Sequence, residues 1–356
     1  MIKTIRTIIP NAKDATAFFR STGVLPDLFG EMGVRSINME ETSWASVAQV
    51  DAVFMQRPFD LSCPKIIDMH HDQGKGVWVD FDDDLFSVPF SNPTYKLYSD
   101  TKRQNAIMST IAKADIVTVS TEALKTKFQK ILTSVAEGNP NDKTLELSHG
   151  KIVLVPNAYN AQFMGPLEKT EKQRKVVLWR GSSTHDKDLM EYTAAIGNVM
   201  EKHPEFTYTF IGSPFWWSIE QFSSIKGMND NNIQIAGALD VIEFLRFMKE
   251  LRPALVIVPL HDCEFNRAKS NIAWIEATMA GAVCLAPDWA EWKRPGVLNY
   301  KDQTDFARIM DQYLSGKIDG GTLWDDSARY IRDNLTIGKV NKARRDIITA
   351  ITLRRG

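Results

Sequence analysis

The 356-residue chain has only three cysteines, Cys63, Cys263 and Cys284. They are too few and too scattered for a disulfide framework or a thiolate-held zinc site, which points to a reducing compartment. Neither charge is in excess: 43 Lys and Arg stand against 44 Asp and Glu, a net charge of -1. That excludes a wholesale basic nucleic-acid binder and leaves only local basic patches open. No apolar run approaches the roughly 18 residues of a membrane helix. The first residues, Met1 to Arg6, carry charges where a signal peptide would be apolar, so a cytoplasmic protein is expected. Also missing are HExxH, GxSxG, Walker A and CxxC patterns, and a GxGxxG after the first strand, which counts against a nicotinamide enzyme.

The apolar fraction is 44% and the charged fraction 24%, ordinary globular values over a length that suits two domains. Short Val- and Ile-rich runs alternate with amphipathic stretches, the mark of parallel sheets with helical crossovers. Strands are predicted at Thr4–Ile9, Ala52–Met55, Gly76–Phe81, Asp115–Val119 and Ile152–Val155. A second set follows at Val176–Trp179, Thr207–Ile211, Ile233–Ala236, Leu255–Pro259 and Val283–Ala286. Helices fall between, at Ser43–Val50, Ser62–Gln73, Thr94–Ala112 and Thr121–Leu132. In the second half they are Asp186–Lys202, Ile219–Ser224, Val241–Glu250, Asn271–Ala280 and Thr304–Leu314. The charged run Glu168–Lys175 reads as a linker. The expected division is 1–165, 172–335, and a final helix, 336–356, whose isoleucines Ile347, Ile348 and Ile351 pack back on the first domain. In such sheets ligands bind beyond the carboxyl ends of the strands.

Three segments could carry chemistry there. In Glu264–Gly281, Lys269 precedes a helix for which Ser270 is a good N-cap, so backbone N–H groups, helix dipole and ammonium could converge on an anion. Asn266 and Asn271 flank that point, and Glu276 could accept from the two hydroxyls of a ribose; the alternative is an ordinary capped surface helix. A second anion site is read at Arg180-Gly181-Ser182, followed by His185 and Lys187 on the next helix. The acidic run Asp80–Asp84 could bind Mg²⁺ or orient a hydroxylic substrate, although no second set of metal ligands is evident. His70 and His71 are neighbouring bases that cannot easily chelate one ion, because adjacent helical residues point about 100° apart.

The second half resembles the donor-binding domain of GT-B glycosyltransferases, in particular the retaining family-4-like group. The likeness rests on Leu178-Trp179-Arg180-Gly181-Ser182 with His185 and Asp188, then Asn266, Lys269-Ser270-Asn271, Glu276-Ala277 and Ala280-Gly281. The first half is similar to acceptor domains of a phage- and polysaccharide-associated subset, through Val79–Leu85, Asn92-Pro93, Ala114–Thr121 and Val155–Ala158. The resemblance implies an α/β fold of two Rossmann-like domains facing across a cleft. It assigns Arg180, Gly181, Lys269 and Ser270 to a donor diphosphate and Glu276 to its ribose. Ser182, His185, Lys187, Asn266 and Asn271 join the donor side; His70, His71, Asp82 and Asp83 are the acceptor-side candidates, of which His71 and Asp83 stand beside Arg180 and Lys269 as the expected catalytic groups. Where the family has a glutamate eight positions before Glu276, this chain has Ala268, with Glu264 and Asn266 close by.

The implied activity is transfer of a sugar, with retention, from a nucleotide diphosphate donor such as a UDP-sugar to a hydroxyl, with no metal or other cofactor. The acceptor is either a hydroxymethylated base in phage DNA, slightly favoured, or a surface glycan. The DNA reading draws on the clusters Lys96, Lys102 and Arg103; Lys125, Lys127 and Lys130; and Lys339, Lys342, Arg344 and Arg345. The rivals are a two-domain small-ligand-binding protein and a metal-dependent transferase built on Asp82-Asp83-Asp84.

Overall fold

The Val- and Ile-rich runs become strands buried on both faces, because helices cover each side of a parallel sheet. A computed structural model describes residues 2–38, 43–138, 149–169, 174–229 and 231–353; part of the predicted linker, 170–173, and the last three residues of the final helix lie outside them. The first sheet comprises β1 (Thr4–Ile8), β2 (Arg35–Asn38), β3 (Ala52–Gln56), β4 (Gly76–Phe81), β5 (Ile116–Val119) and β6 (Ile152–Leu154), in the order β2-β1-β3-β4-β5-β6. The second comprises β7 (Val176–Gly181), β8 (Thr207–Gly212), β9 (Ile233–Ala236), β10 (Leu255–Ile257), β11 (Val283–Pro287) and β12 (Val297–Tyr300), in the order β12-β11-β10-β7-β8-β9. Every pairing between these strands is parallel, so these are two Rossmann-like sheets.

Alternation along each strand feeds two cores. Val177 and Trp179 enter one cluster with the helix Asp186–Lys202, and Leu178 between them enters the opposite one. In the first sheet Val77, Val79 and Phe81 share one face and Trp78 the other. The strand order reverses between β7 and β10 in the second sheet, which opens a crevice at their carboxyl ends.

The chain leaves the first domain and returns to it at one place. Tyr159 N–H donates to Leu335 O at 2.8 Å and Ile337 N–H donates to Tyr159 O at 2.9 Å, so the two crossings are bonded to each other. The returning helix, Ile337–Leu353, buries Val340, Ile347, Ile348 and Ile351 with Ile5, Phe54 and Trp78. The expected return of the C-terminal helix to the first domain is therefore observed.

Several elements escaped the sequence patterns, among them the short helical pieces Ala15–Ala17, Phe18–Thr22, Ala161–Met164 and Glu264–Arg267. β2 and β12 are edge strands of only four residues, and β2 has a single apolar residue, Ile37. The helix Leu25–Glu31 is short, and Gly320–Asn334 opens on two glycines, although Trp324, Ala328 and Ile331 do form a buried stripe. The predicted helix Thr94–Ala112 is split into Tyr95–Tyr98 and Thr101–Lys113, because Asp100 caps the second piece by accepting from Arg103 N–H.

Candidate functional site

β7 and β10 end side by side, and the crevice beyond them faces the carboxyl ends of the first sheet. Trp179 and Arg180 end β7, and Val258, Pro259 and Leu260 follow β10; all five line a cavity. Lys269, Ser270, Ile272, Ala273 and Glu276 line it from the helix Ile272–Met279 and its approach, and Trp292 from the loop after β11. The first domain closes the opposite side with Ala15, Thr16, Phe19, Arg20, Asp82, Asp83 and Asn157.

On the second-domain wall, Arg180 Nη2 lies 2.6 Å from Glu276 Oε2. Burial raises the Glu276 carboxyl, opposed by the Arg180 charge. His185 Nδ1 lies 2.8 Å from Asp188 Oδ2, and its Nε2 is 3.5 Å from Lys269 Nζ. Burial and the Lys269 ammonium hold His185 down to about 4, against the pull of Asp188. The Lys269 ammonium also sits over the Phe265 ring, 4.9 Å from its centroid. Gly181 is required by close packing: a Cβ there would come within 2.7 Å of the Trp179 ring. These groups can neutralise an anion while the ion-paired carboxylate offers an acceptor for hydroxyls.

The first-domain wall is a graded set of ion pairs. Asp80 and Arg20 form a buried bidentate pair, 2.6 and 3.0 Å, and Arg20 also donates to Val155 O and Asn157 Oδ1. Arg57 holds Asp82 at 2.5 Å and Asp83 at 3.0 Å, and also donates to Thr16. Lys127 pairs with Asp84 at 2.6 Å and reaches Glu264 of the second domain at 3.0 Å. Arg57 has φ +44°, a strained conformation for a non-glycine residue, here immediately before Pro58. Burial and Asp82 push Asp83 up, and Asp83 feels the Lys269 charge across the cleft. The acidic run is thus taken up by protein cations, not gathered as an open ligand set; among the described residues no three His, Cys, Asp or Glu converge on one metal position.

Several expected roles need correction. His71 stands at the opposite edge of the sheet: its Nε2 is 3.2 Å from Asp115, which also accepts from Val77 N–H at the amino end of β4. A strand's length, about 15 Å, separates that edge from the cleft, so His71 is not an acceptor-side base in this arrangement. His70 is fully buried, with Nδ1 against Ile66 O. Ser270 is not the N-cap: Asn271 precedes the helix, and Ser270 Oγ accepts from Asn157 across the cleft at 2.9 Å. Asn271 Nδ2 bonds Glu291 O, and buried Asn266 donates to Asp188 and to His261 O, so both brace the wall. Ser182 is exposed and caps the short turn Ser183–His185; neither it nor Lys187 lines the cavity. Glu264, one neighbour of the Ala268 substitution, turns outward to Lys127. Two basic clusters are broken up: Lys127 is paired, Arg344 is buried, and Arg345 pairs with Glu31.

Asn157 lay in the Val155–Ala158 segment without a role assigned to it, and Arg20, Thr16, Phe19 and Trp292 had no motif to mark them. Arg57 had one, its place directly after β3.

No protein-family model matches the chain, and no curated protein matches it in sequence. Its fold does match solved structures. HepE from Anabaena, in complex with UDP, is 10% identical with a TM-score of 0.65, covering 98% of this chain and 100% of that one. A glycosyltransferase from Rickettsia africae is 12% identical with a TM-score of 0.60, covering 98% of each chain. A UDP-forming α,α-trehalose-phosphate synthase from Burkholderia vietnamiensis is 12% identical with a TM-score of 0.57, covering 98% and 99%. At such identities the likeness is one of fold, and the fold is the two-domain GT-B architecture.

Proposed function

We propose that the chain is a glycosyltransferase that moves a sugar, with retention, from a nucleotide diphosphate donor, a UDP-sugar, to a hydroxyl acceptor. The domain limits go with this reading: an acceptor-side unit at 1–165, a donor-side unit at 172–335, and the helix 336–356. One observation carries it: Arg180, His185, Lys269 and Glu276 meet in a cavity at the strand-order reversal of the second sheet. Cations there would hold the diphosphate and stabilise the charge that grows on it as the sugar leaves. Glu276 would take the ribose hydroxyls. Solved structures of the same fold that carry UDP support the choice of nucleotide.

Of the two acceptors, a neutral glycan hydroxyl is now favoured over DNA. The wall facing the acceptor carries Asp82 and Asp83 against one shared arginine, and a carboxylate surface repels a phosphate backbone but hydrogen-bonds sugar hydroxyls. Incubation with UDP-glucose, UDP-N-acetylglucosamine and other nucleotide sugars, in EDTA, should release nucleoside diphosphate, with the product linkage assigned by NMR. No release from any donor would overturn the transferase reading. Transfer to hydroxymethylated DNA that falls steeply with salt would restore the DNA acceptor, and an inverted linkage would overturn retention.

A further inference from the structure

His185 stands between a carboxylate on one ring nitrogen and an ammonium on the other. An ionised carboxylate can only accept and a lysine ammonium can only donate, so these contacts fix the tautomer. Nδ1 carries the hydrogen, and Nε2 presents its lone pair to Lys269. The ring is also braced. Asp188 is buried, and its other oxygen accepts from His261 N–H at 2.8 Å and Asn266 Nδ2 at 2.7 Å.

We propose that His185 takes up a proton at Nε2 when a nucleoside diphosphate enters the cavity, so that binding at this site is linked to protonation of that one histidine. The inference rests on the nucleotide reading above. In the empty cavity a proton on Nε2 would place an imidazolium 3.5 Å from the Lys269 ammonium, with the Arg180 guanidinium also acting against it. A bound diphosphate reverses the balance: Lys269 turns its donors to phosphate oxygens, Nε2 loses that donor, and the local charge becomes negative. The proton comes from solvent, and the new N–H donates to the phosphate while Nδ1–H stays on Asp188.

The charged and titratable groups around the ring are few. Asp188 lies on its own helix and Arg180 on β7. Lys269 and the Cys263 thiol come from the segment before the helix Ile272–Met279, and Glu276, paired with Arg180, from that helix. Across the cleft stand Asp82 and Asp83, shared by Arg57. Asp83 also senses Lys269, and burial raises Glu276 against the Arg180 charge, so these two carboxyls are other groups whose protonation could follow an incoming anion. Substitution of His185 and the ring's own NMR signal separate the histidine from both.

Calorimetric titration with UDP at about pH 7, in buffers of different ionisation enthalpy, counts the protons taken up. UDP's own terminal phosphate titrates near pH 6; the free nucleotide's share is common to both proteins, and the ring's NMR signal assigns the rest to the histidine or to the bound phosphate. Wild type is expected to take up roughly half a proton more per UDP than His185→Gln, and His185→Gln to bind roughly tenfold more weakly at pH 6 than wild type, with a smaller gap at pH 8. Nitrogen NMR of the wild-type histidines provides a second reading that needs no variant: one ring should pass from neutral, with an unprotonated Nε2, to imidazolium on UDP addition. UDP binding with equal proton uptake in both proteins, or with no such change in the ring, overturns the inference alone. Failure of wild type to bind UDP, ADP or GDP overturns the nucleotide reading as well.

Discussion

Arg180 and Glu276 form an ion pair on the second-domain wall of the cavity, 2.6 Å apart, with the carboxylate side chain 3% exposed and the guanidinium 25% exposed. The pair joins the end of β7 to the helix Ile272–Met279, far apart along the chain. An incoming nucleotide therefore meets a balanced pair, and Arg180 can give charge to phosphate only while Glu276 finds hydroxyl donors of its own. This exchange couples the two halves of a donor, ribose and diphosphate.

Glu276→Gln should weaken UDP binding about tenfold with little loss of fold, because the amide keeps the shape but not the charge. Glu276→Ala should also lower stability by about 2–3 kcal/mol, since it leaves a largely buried guanidinium unmatched. Calorimetry and thermal melts separate the two effects. A fully retained UDP affinity in Glu276→Ala would remove the ribose role.

Lys269→Ala should reduce turnover on the order of 10²-fold at saturating donor. Its ammonium would act on charge that grows on the leaving group, so kcat should fall more than donor affinity. Equal loss in both, measured by steady-state kinetics and UDP titration, would instead indicate ground-state binding alone.

Acid should destabilise the protein through His70. Burial pushes it down to about 4 from an ordinary 6.5, against the upward pull of the Ile66 carbonyl. Between those values the unfolded chain binds more protons than the folded one, so the stability is present above about pH 6.5 and is lost as pH falls towards 4. The loss can reach about 3 kcal/mol. Urea melts of His70→Leu across this range should show a shallower pH dependence than wild type.

The contact between Gly76 and Ile351 should report how the terminal helix docks. A Cβ on Gly76 would lie 1.9 Å from Ile351 Cγ2, so Gly76→Ala should cost about 1–3 kcal/mol through overpacking. Ile351→Ala alone should cost about 2–4 kcal/mol as a cavity in the first domain's core. The double variant should be more stable than the sum of the two losses, as a double-mutant cycle would measure. Strict additivity would mean that the helix is not held there in solution.

Period and punctuation were enough to reveal the repeating β-strand and helix units. Runs such as Val77–Phe81 and Val176–Trp179 read as strands covered on both faces, and Arg180 and Lys269 stand where such a strand ends and a helix is about to begin. The edge strand Arg35–Asn38 escaped because Ile37 is its one apolar residue, too little to leave an apolar signature. Partnership was the other thing hidden. Nothing local in Asp80-Phe81-Asp82-Asp83-Asp84 says that each carboxylate will meet a cation from another segment, Arg20, Arg57 or Lys127. Likewise His71 and His185 look equally able to serve a site until the sheet puts one at the amino edge and the other at the carboxyl edge of its strands. Hydrophobic periodicity is a property of neighbours along the chain, and so it can be read from the sequence. Charge pairing joins residues that only the folded sheets bring within 3 Å, and that was decided by the tertiary structure.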